Sequence, residues 1–116
     1  MGATPLEIKP FIEELKCQFC FDFSHAVCSA NSLNRDVYEV LTEFKALKPA
    51  MYHLCDGDEH NTIDAHLHYG EGNYDLRRML TKFTDKNAII TMETGKGLPV
   101  NVQPWLDDAA YLARLE

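Results

Sequence analysis

The sequence has no apolar run near the length of about 20 residues that spans a lipid bilayer. The first residues, MGATPLEIKP, have neither a basic start nor an apolar h-region, so a secretory signal is not expected. Basic residues are few, 11 Lys and Arg against 18 Asp and Glu, and the net charge is −7. A surface that binds nucleic acid through bulk electrostatics is therefore not expected. These absences favour a cytoplasmic protein without a membrane anchor.

The size and composition favour one globular domain over residues 1–116. A chain of 116 residues has room for a single core and not for a second domain of ordinary size. Hydrophobic residues make up 46% of the chain and charged residues 25%. These fractions are close to the averages of folded domains and argue against disorder.

Two of the four cysteines form the spacing Cys17-x-x-Cys20, which occurs in zinc and redox sites. The residues around them have the apolar character of a strand, and residues three apart on a strand point to opposite faces. We therefore expect Cys17 and Cys20 to be thiols of the core and not two ligands of one metal.

Segments typical of strands and helices alternate along the chain. A capping box at Thr4–Glu7 predicts a helix to Leu15, which Pro10 kinks or restarts. Apolar runs predict strands over residues 17–23, 50–55 and 88–92. A helix is expected after each strand, beginning after Asn34, after Asn73 or Asp75, and at Pro104. This alternation is typical of an α/β fold with a parallel sheet.

Each predicted strand ends in an acid or a histidine. The first ends in Asp22, with His25 just beyond it, the second delivers His53, and the third delivers Glu93. Active sites of parallel α/β folds lie at the carboxyl ends of the strands. A cap or a satisfied polar group is the commoner role of one such residue, but three consecutive strand ends favour a site. Two carboxylates and an imidazole suit zinc, manganese, magnesium or cobalt.

The polar loop after the second strand adds three alternating residues, Asp64, His66 and His68. In an extended segment, alternate residues face the same side. This pattern makes Asp64 and His66 candidates for the same site. For His68, the sequence leaves open whether it neighbours the ligands or is exposed.

Taken together, the segments DFSHA, YHLCD, DAHLHYGEGNYD and ITMETGK resemble the C-terminal part of the xylose isomerase-like TIM-barrel superfamily. That superfamily includes sugar and sugar-phosphate isomerases and epimerases, and also endonuclease IV, a zinc enzyme that cleaves DNA at abasic sites. The resemblance covers the chain from about residue 5 to its end. It implies a partial TIM barrel of about three consecutive βα units with parallel strands.

The isomerase and epimerase branch implies one divalent metal, zinc or manganese above all, held by Asp22, His53 and Glu93. A further Glu from an earlier strand would complete the site and pair with Glu93 as the catalytic acid and base. His25 and His66 would contact hydroxyl or phosphate groups of a small sugar substrate. This branch is our leading hypothesis, because the acidic chain suits a small polar substrate better than DNA.

The endonuclease IV branch implies that all six residues are metal ligands of a zinc cluster. These residues are Asp22, His25, His53, Asp64, His66 and Glu93. This alternative predicts a phosphodiesterase whose partner is nucleic acid. It also requires two earlier histidines and a Glu, which these 116 residues do not include.

Three βα units are fewer than the eight of a complete barrel. A three-stranded piece leaves an open edge and an apolar face, so we expect copies of this chain, or a second chain, to cover the sheet. A third hypothesis is a non-catalytic fragment that acts as an oligomerisation module.

Overall fold

The computed structural model describes residues 4–95 and 100–115. Lys96, the last residue of the ITMETGK segment, lies outside them. The elements follow the order α1 (Pro5–Leu15), β1 (Cys20–Asp22), α2 (Phe23–Ser32), α3 (Val37–Lys45), β2 (Met51–Leu54), α4 (Leu76–Phe83), β3 (Ile90–Met92) and α5 (Gln103–Leu115).

The strands form one parallel sheet in the order β1-β2-β3. In this register Asp22 lies beside His53, and His53 lies beside Thr91. Glu93 follows β3 directly, and its N–H donates to the Leu54 carbonyl at 3.0 Å. The predicted α/β class with parallel strands is confirmed, and the carboxyl ends of all three strands meet at one edge.

The hydrophobic core lies on one face of the sheet, beneath α2 and α3. Phe21 of β1 stacks on Phe44 of α3, and Tyr52 of β2 stacks on Phe23 at the start of α2. Alternate strand residues point to the opposite face, where Asp22 and His53 are only half-buried. One face therefore stabilises the fold, and the other leaves polar side chains within reach of solvent.

The helix α2 was not predicted, because the first strand was expected to continue to Phe23. The chain turns into α2 directly after Asp22, whose side chain accepts the His25 N–H at 3.0 Å and caps the helix. Asp36, and not Asn34, caps α3. In both places an aspartate supplies the acceptor that a helix N-terminus lacks.

The predicted core thiols are wrong for Cys17, which is exposed, while Cys20 is half-buried and Cys55 is buried. The reason is that β1 begins only at Cys20, so Cys17 lies on the segment that connects it to α1. All four cysteines are free thiols.

The terminal helices are less buried than α2 and α3. The predicted capping box of α1 is present, and the helix continues through Pro10 to Leu15. Leu6 of α1 and Leu106 of α5 are exposed. Among the described residues, none of the helices combines the length and the apolar character that a membrane crossing requires.

Candidate metal centre

The acid or histidine at the end of each strand meets the other two on the half-buried face of the sheet. His53 Nδ1 lies 3.0 Å from Glu93 Oε1 and 3.7 Å from Asp22 Oδ2. One ligand atom of each of the three residues lies within 4.8 Å of the others. We call Asp22, His53 and Glu93 the strand-end set.

A second group of predicted residues meets around one oxygen of Asp64. His66 Nε2 lies 2.8 Å from Asp64 Oδ2, and His25 Nε2 lies 3.0 Å from the same oxygen. We call His25, Asp64 and His66 the loop set, since two of its members come from the loop after β2.

His25 connects the two sets. Its Nδ1 lies 3.4 Å from Asp22 Oδ2, and its Nε2 faces Asp64. All six residues that the sequence singled out therefore lie in one continuous cluster at the carboxyl edge of the sheet. The cluster alternates carboxylates and imidazoles, so each acid faces a group that can carry a positive charge.

The backbone holds His66 in a fixed orientation. The residue has φ of 50°, in the left-handed region that non-glycine residues seldom occupy. Its carbonyl accepts the Gly95 N–H at 2.7 Å, and its Nδ1 lies 2.7 Å from the Glu93 carbonyl oxygen. A carbonyl oxygen only accepts, so Nδ1 carries the hydrogen and Nε2 is left to face Asp64.

Two residues that the sequence did not single out complete the surroundings of Asp64. The Ser24 hydroxyl donates to Asp64 Oδ1 at 2.7 Å, and Cys55 Sγ lies 4.0 Å from the same oxygen. Cys55, Asp64 and His66 form a second group whose ligand atoms lie within 4.8 Å of one another. The only signal for Cys55 in the sequence is its place two residues after His53, on the same face of the extended chain.

The electrostatics of the loop set favour a charged pair. The hydrogen bond to the Glu93 carbonyl raises the pKa of His66, and the charge of Asp64 adds to this effect. Burial works to raise the pKa of Asp64, but the Ser24 hydroxyl, His66 and His25 together hold it below its usual value. Burial raises the pKa of the Cys55 thiol to about 12, which keeps the thiol protonated at neutral pH in the absence of a metal.

The loop between β2 and α4 is organised by Asp56, a buried carboxylate outside the cluster. Its oxygens accept the N–H groups of Gly57, Gly70, Gly72 and Tyr74 at 2.8 to 3.2 Å. The backbone of Asp56 also pairs with Leu67 in an antiparallel bridge. These bonds fix the loop that carries Asp64 and His66.

His68 lies apart from both sets and belongs to a network centred on Asp108 of α5. Asp108 is buried, and it accepts from His68 Nδ1 at 2.7 Å, from the Tyr69 N–H at 3.0 Å and from the Thr94 hydroxyl. This network ties α5 to the loop and to the residue that follows Glu93. Asp108 was not predicted, since its partners are 14 to 40 residues away in sequence.

The donor atoms of the strand-end set fit a divalent metal. Carboxylate oxygen and imidazole nitrogen are ordinary zinc ligands, and catalytic zinc sites have three protein ligands with an open fourth position. Ligand atoms within 4.8 Å of one another need only a small contraction to reach bonding distance around one ion.

Comparisons of the chain with protein-family models, with curated proteins and with solved structures find no match. What the fold and the site define is therefore a class only. It is an α/β chain with a parallel three-stranded sheet and a cluster of acids and histidines at the carboxyl edge.

Proposed function

We propose that this chain contributes the metal site of a sugar or sugar-phosphate isomerase or epimerase of the xylose isomerase-like class. The observation that carries the proposal is the meeting of Asp22, His53 and Glu93 within 4.8 Å at three adjacent parallel strand ends. Strand ends of this kind hold the active sites of parallel α/β folds.

The partial barrel is part of the same proposal. Consecutive strands that are neighbours in the order β1-β2-β3, with α2 in contact with β2 and α5 in contact with β3, agree with three successive units of a (β/α)8 barrel. Doubly wound sheets such as the Rossmann fold instead reverse their strand order at a switch point. The other strands would come from outside these residues, from copies of this chain or from a second chain.

Asp22, His53 and Glu93 would hold one zinc or manganese ion, with magnesium or cobalt as other hard or borderline choices. A divalent ion bound there would polarise a substrate carbonyl as a Lewis acid. Glu93 is the proposed catalytic residue, because its carboxylate is half-exposed and lies against His53. It would move a proton at the substrate carbon beside the carbonyl as one member of an acid and base pair, whose other Glu would come from an earlier strand outside these residues.

The resemblance assigns substrate binding to His25 and His66. The His25 side chain is 66% exposed, so a hydroxyl or phosphate group of a sugar can reach it from solvent. His66 is half-buried and held by the Glu93 carbonyl, which suits a fixed contact.

Proton exchange in deuterated water tests this reaction class. The purified chain, loaded with zinc or manganese, is incubated with a panel of aldoses, ketoses and their phosphates, and deuterium at the carbon beside the carbonyl is measured by mass spectrometry. We expect exchange that Glu93→Gln abolishes and that Glu13→Gln, on the exposed surface of α1, leaves intact. No exchange with any sugar in the metal-loaded chain would contradict the proposal.

A second candidate function is metal-dependent phosphodiester hydrolysis, as in the endonuclease IV group. The observation that favours it is the loop set, where His25 Nε2 and His66 Nε2 both lie within 3.0 Å of Asp64 Oδ2. Two adjacent ligand sets are typical of two-metal phosphoesterases and nucleases. Nicking of a duplex with one abasic site, in the presence of zinc, distinguishes this candidate from the isomerase.

The triple variant Asp22→Ala, His53→Ala, Glu93→Ala separates both enzymes from a non-catalytic oligomerisation module. An enzyme loses its metal and its turnover, while a module keeps its oligomeric state and never shows turnover. Sedimentation of the variant, together with both activity assays, gives the answer.

A further inference from the structure

We propose that Cys55, Asp64 and His66 form a separate metal site that is selective for thiophilic ions such as zinc. This proposal goes beyond the proposed function, because it makes His66 a ligand of a second metal where the resemblance assigns it to the substrate. It adds the buried Cys55 thiol, to which the sequence pattern and the resemblance assign no role.

The positions of the three ligand atoms agree with one ion. Cys55 Sγ lies 4.0 Å from Asp64 Oδ1, and His66 Nε2 lies 2.8 Å from Asp64 Oδ2. Around one tetrahedral zinc, a sulfur and an oxygen ligand are about 3.5 Å apart, and a nitrogen and an oxygen ligand about 3.3 Å apart. One ligand atom of each residue lies within 4.8 Å of the others, so side-chain shifts of about 1.5 Å or less convert the observed arrangement into a coordination shell.

Neighbouring groups orient the ligand atoms of His66 and Asp64 and keep the Cys55 thiol buried. The Glu93 carbonyl fixes the hydrogen of His66 on Nδ1 and leaves Nε2 facing Asp64, which is the usual arrangement of a zinc-ligating histidine. The Ser24 hydroxyl orients Asp64 from the other side. Cys55 is only 2% exposed, so the thiol lies away from bulk solvent.

The thiol distinguishes this site from the strand-end set. Two carboxylates and one imidazole accept hard ions such as manganese and magnesium, whereas a thiolate prefers zinc and cobalt to them. Binding breaks the Sγ–H bond of Cys55 and the Nε2–H bond that His66 has in its charged pair with Asp64, forms bonds from the thiolate sulfur and from Nε2 to the metal, and releases both protons to solvent. The strand-end set and the Cys55 site would thus lie side by side and prefer different metal ions.

Titration with Co²⁺ tests the proposal, because a thiolate bound to Co²⁺ gives an intense charge-transfer band in the near ultraviolet. We expect the band in the parent chain and in Cys17→Ser, a matched change at an exposed cysteine. In Cys55→Ser the band should vanish, and the dissociation constant of this ion should rise by more than about tenfold, the low end of the loss when even an outer partner of a metal is removed.

A second variant guards against a change of fold in Cys55→Ser. His66→Asn alters a half-buried side chain, and asparagine tolerates the left-handed backbone at this position. This variant should also lose the band while the far-ultraviolet circular dichroism stays unchanged. A band that persists in Cys55→Ser, or cobalt that binds without any such band, would overturn the proposal.

The double variant Asp22→Asn, Glu93→Gln separates this outcome from a failure of the proposed function. If the Cys55 site exists, the near-ultraviolet band survives in the double variant whether or not the strand-end set binds metal. Loss of one cobalt equivalent without loss of the band supports both sites. Loss of the band in the double variant would mean that Cys55, Asp64 and His66 form no site of their own.

Discussion

Two aspartates near the carboxyl edge of the sheet, Asp56 and Asp22, differ in what surrounds them. Asp56 is 1% exposed, and four backbone N–H groups satisfy its oxygens. Asp22 spends one oxygen on capping α2 and turns the other toward His25 and His53. Both oxygens of Asp56 accept backbone hydrogen bonds that stabilise the fold. One oxygen of Asp22 faces the two histidines and can coordinate a metal ion.

This difference separates structural acids from candidate functional acids in the chain. An acid that accepts several backbone N–H groups stabilises the fold through charge-assisted hydrogen bonds. Acids that face one another across histidines contribute little in the absence of a metal, because each brings another negative charge to the same site. Substitutions should therefore divide the acids into those that lower stability and those that lower metal affinity.

The largest loss of stability is expected for Asp56→Asn. The amide nitrogen cannot accept, so at least one pair of N–H groups loses its partner, either the part-buried pair at Gly70 and Gly72 or the buried pair at Gly57 and Tyr74. With hydrogen bonds to charged groups contributing about 1.5–3 kcal/mol each, the free energy of unfolding should fall by about 3 kcal/mol or more. Urea unfolding measures this free energy, and a fall of less than about 1 kcal/mol would contradict the structural role of Asp56.

The opposite behaviour is expected for the double variant Asp22→Asn, Glu93→Gln. Without metal, its free energy of unfolding should stay within about 1 kcal/mol of the parent value, because partly exposed ion pairs contribute little. The parent chain should gain about 2.7 kcal/mol at a zinc concentration one hundred times the dissociation constant. The double variant should gain less, and an equal gain would contradict the strand-end site.

An intermediate loss is expected for Asp108→Asn, which weakens the network with His68, Tyr69 and Thr94. We expect the free energy of unfolding to fall by about 2 kcal/mol. Asp107→Asn is the matched control, since Asp107 is the neighbouring residue and is exposed. Thermal unfolding of the two variants compares them, and equal midpoints would show that burial of Asp108 does not matter.

The smallest change in the free energy of unfolding is expected for Asp85→Asn. Asp85 follows α4 and bonds to the side chain of Tyr52 in β2, away from the cluster. Lys45 Nζ and the Tyr52 hydroxyl both donate to Asp85 and lower the pKa of its carboxyl. A carboxyl whose pKa is lower in the folded chain than in the unfolded chain stabilises the fold at pH values above the unfolded pKa. This contribution is lost as the pH falls through the folded pKa. The parent chain should therefore be slightly more stable than the variant at pH 6, and the difference should disappear toward pH 3. A difference that grows on acidification would contradict this sign.

Much of the architecture followed from local sequence patterns. Asp75 was one of two expected caps of α4 and does cap it, and the three apolar runs contain the three strands. The helix α2 escaped prediction because Phe23 continues the apolar run of β1, although it is the first helical residue. An aspartate followed by Ala26, Val27 and Ala30 at helical spacing was the signal that could have revealed it.

The residues of the candidate site also divide into those that the sequence predicted and those that it did not. The six predicted residues meet, because the carboxyl ends of adjacent parallel strands share one edge. Asp108 and Cys55 could not be assigned, since the sequence does not say that α5 returns to Thr94 or that the Cys55 thiol, just after β2, faces Asp64. Such long-range contacts depend on packing and not on local pattern.

The most direct test of the central claim is the number of zinc ions retained per chain after dialysis, measured by elemental mass spectrometry. The parent chain is compared with Asp22→Ala, His53→Ala, Glu93→Ala, and circular dichroism checks that both are folded. We expect the variant to retain one zinc ion fewer per chain than the parent. A parent chain without zinc, or equal zinc in the two proteins, would contradict a metal site at the strand ends.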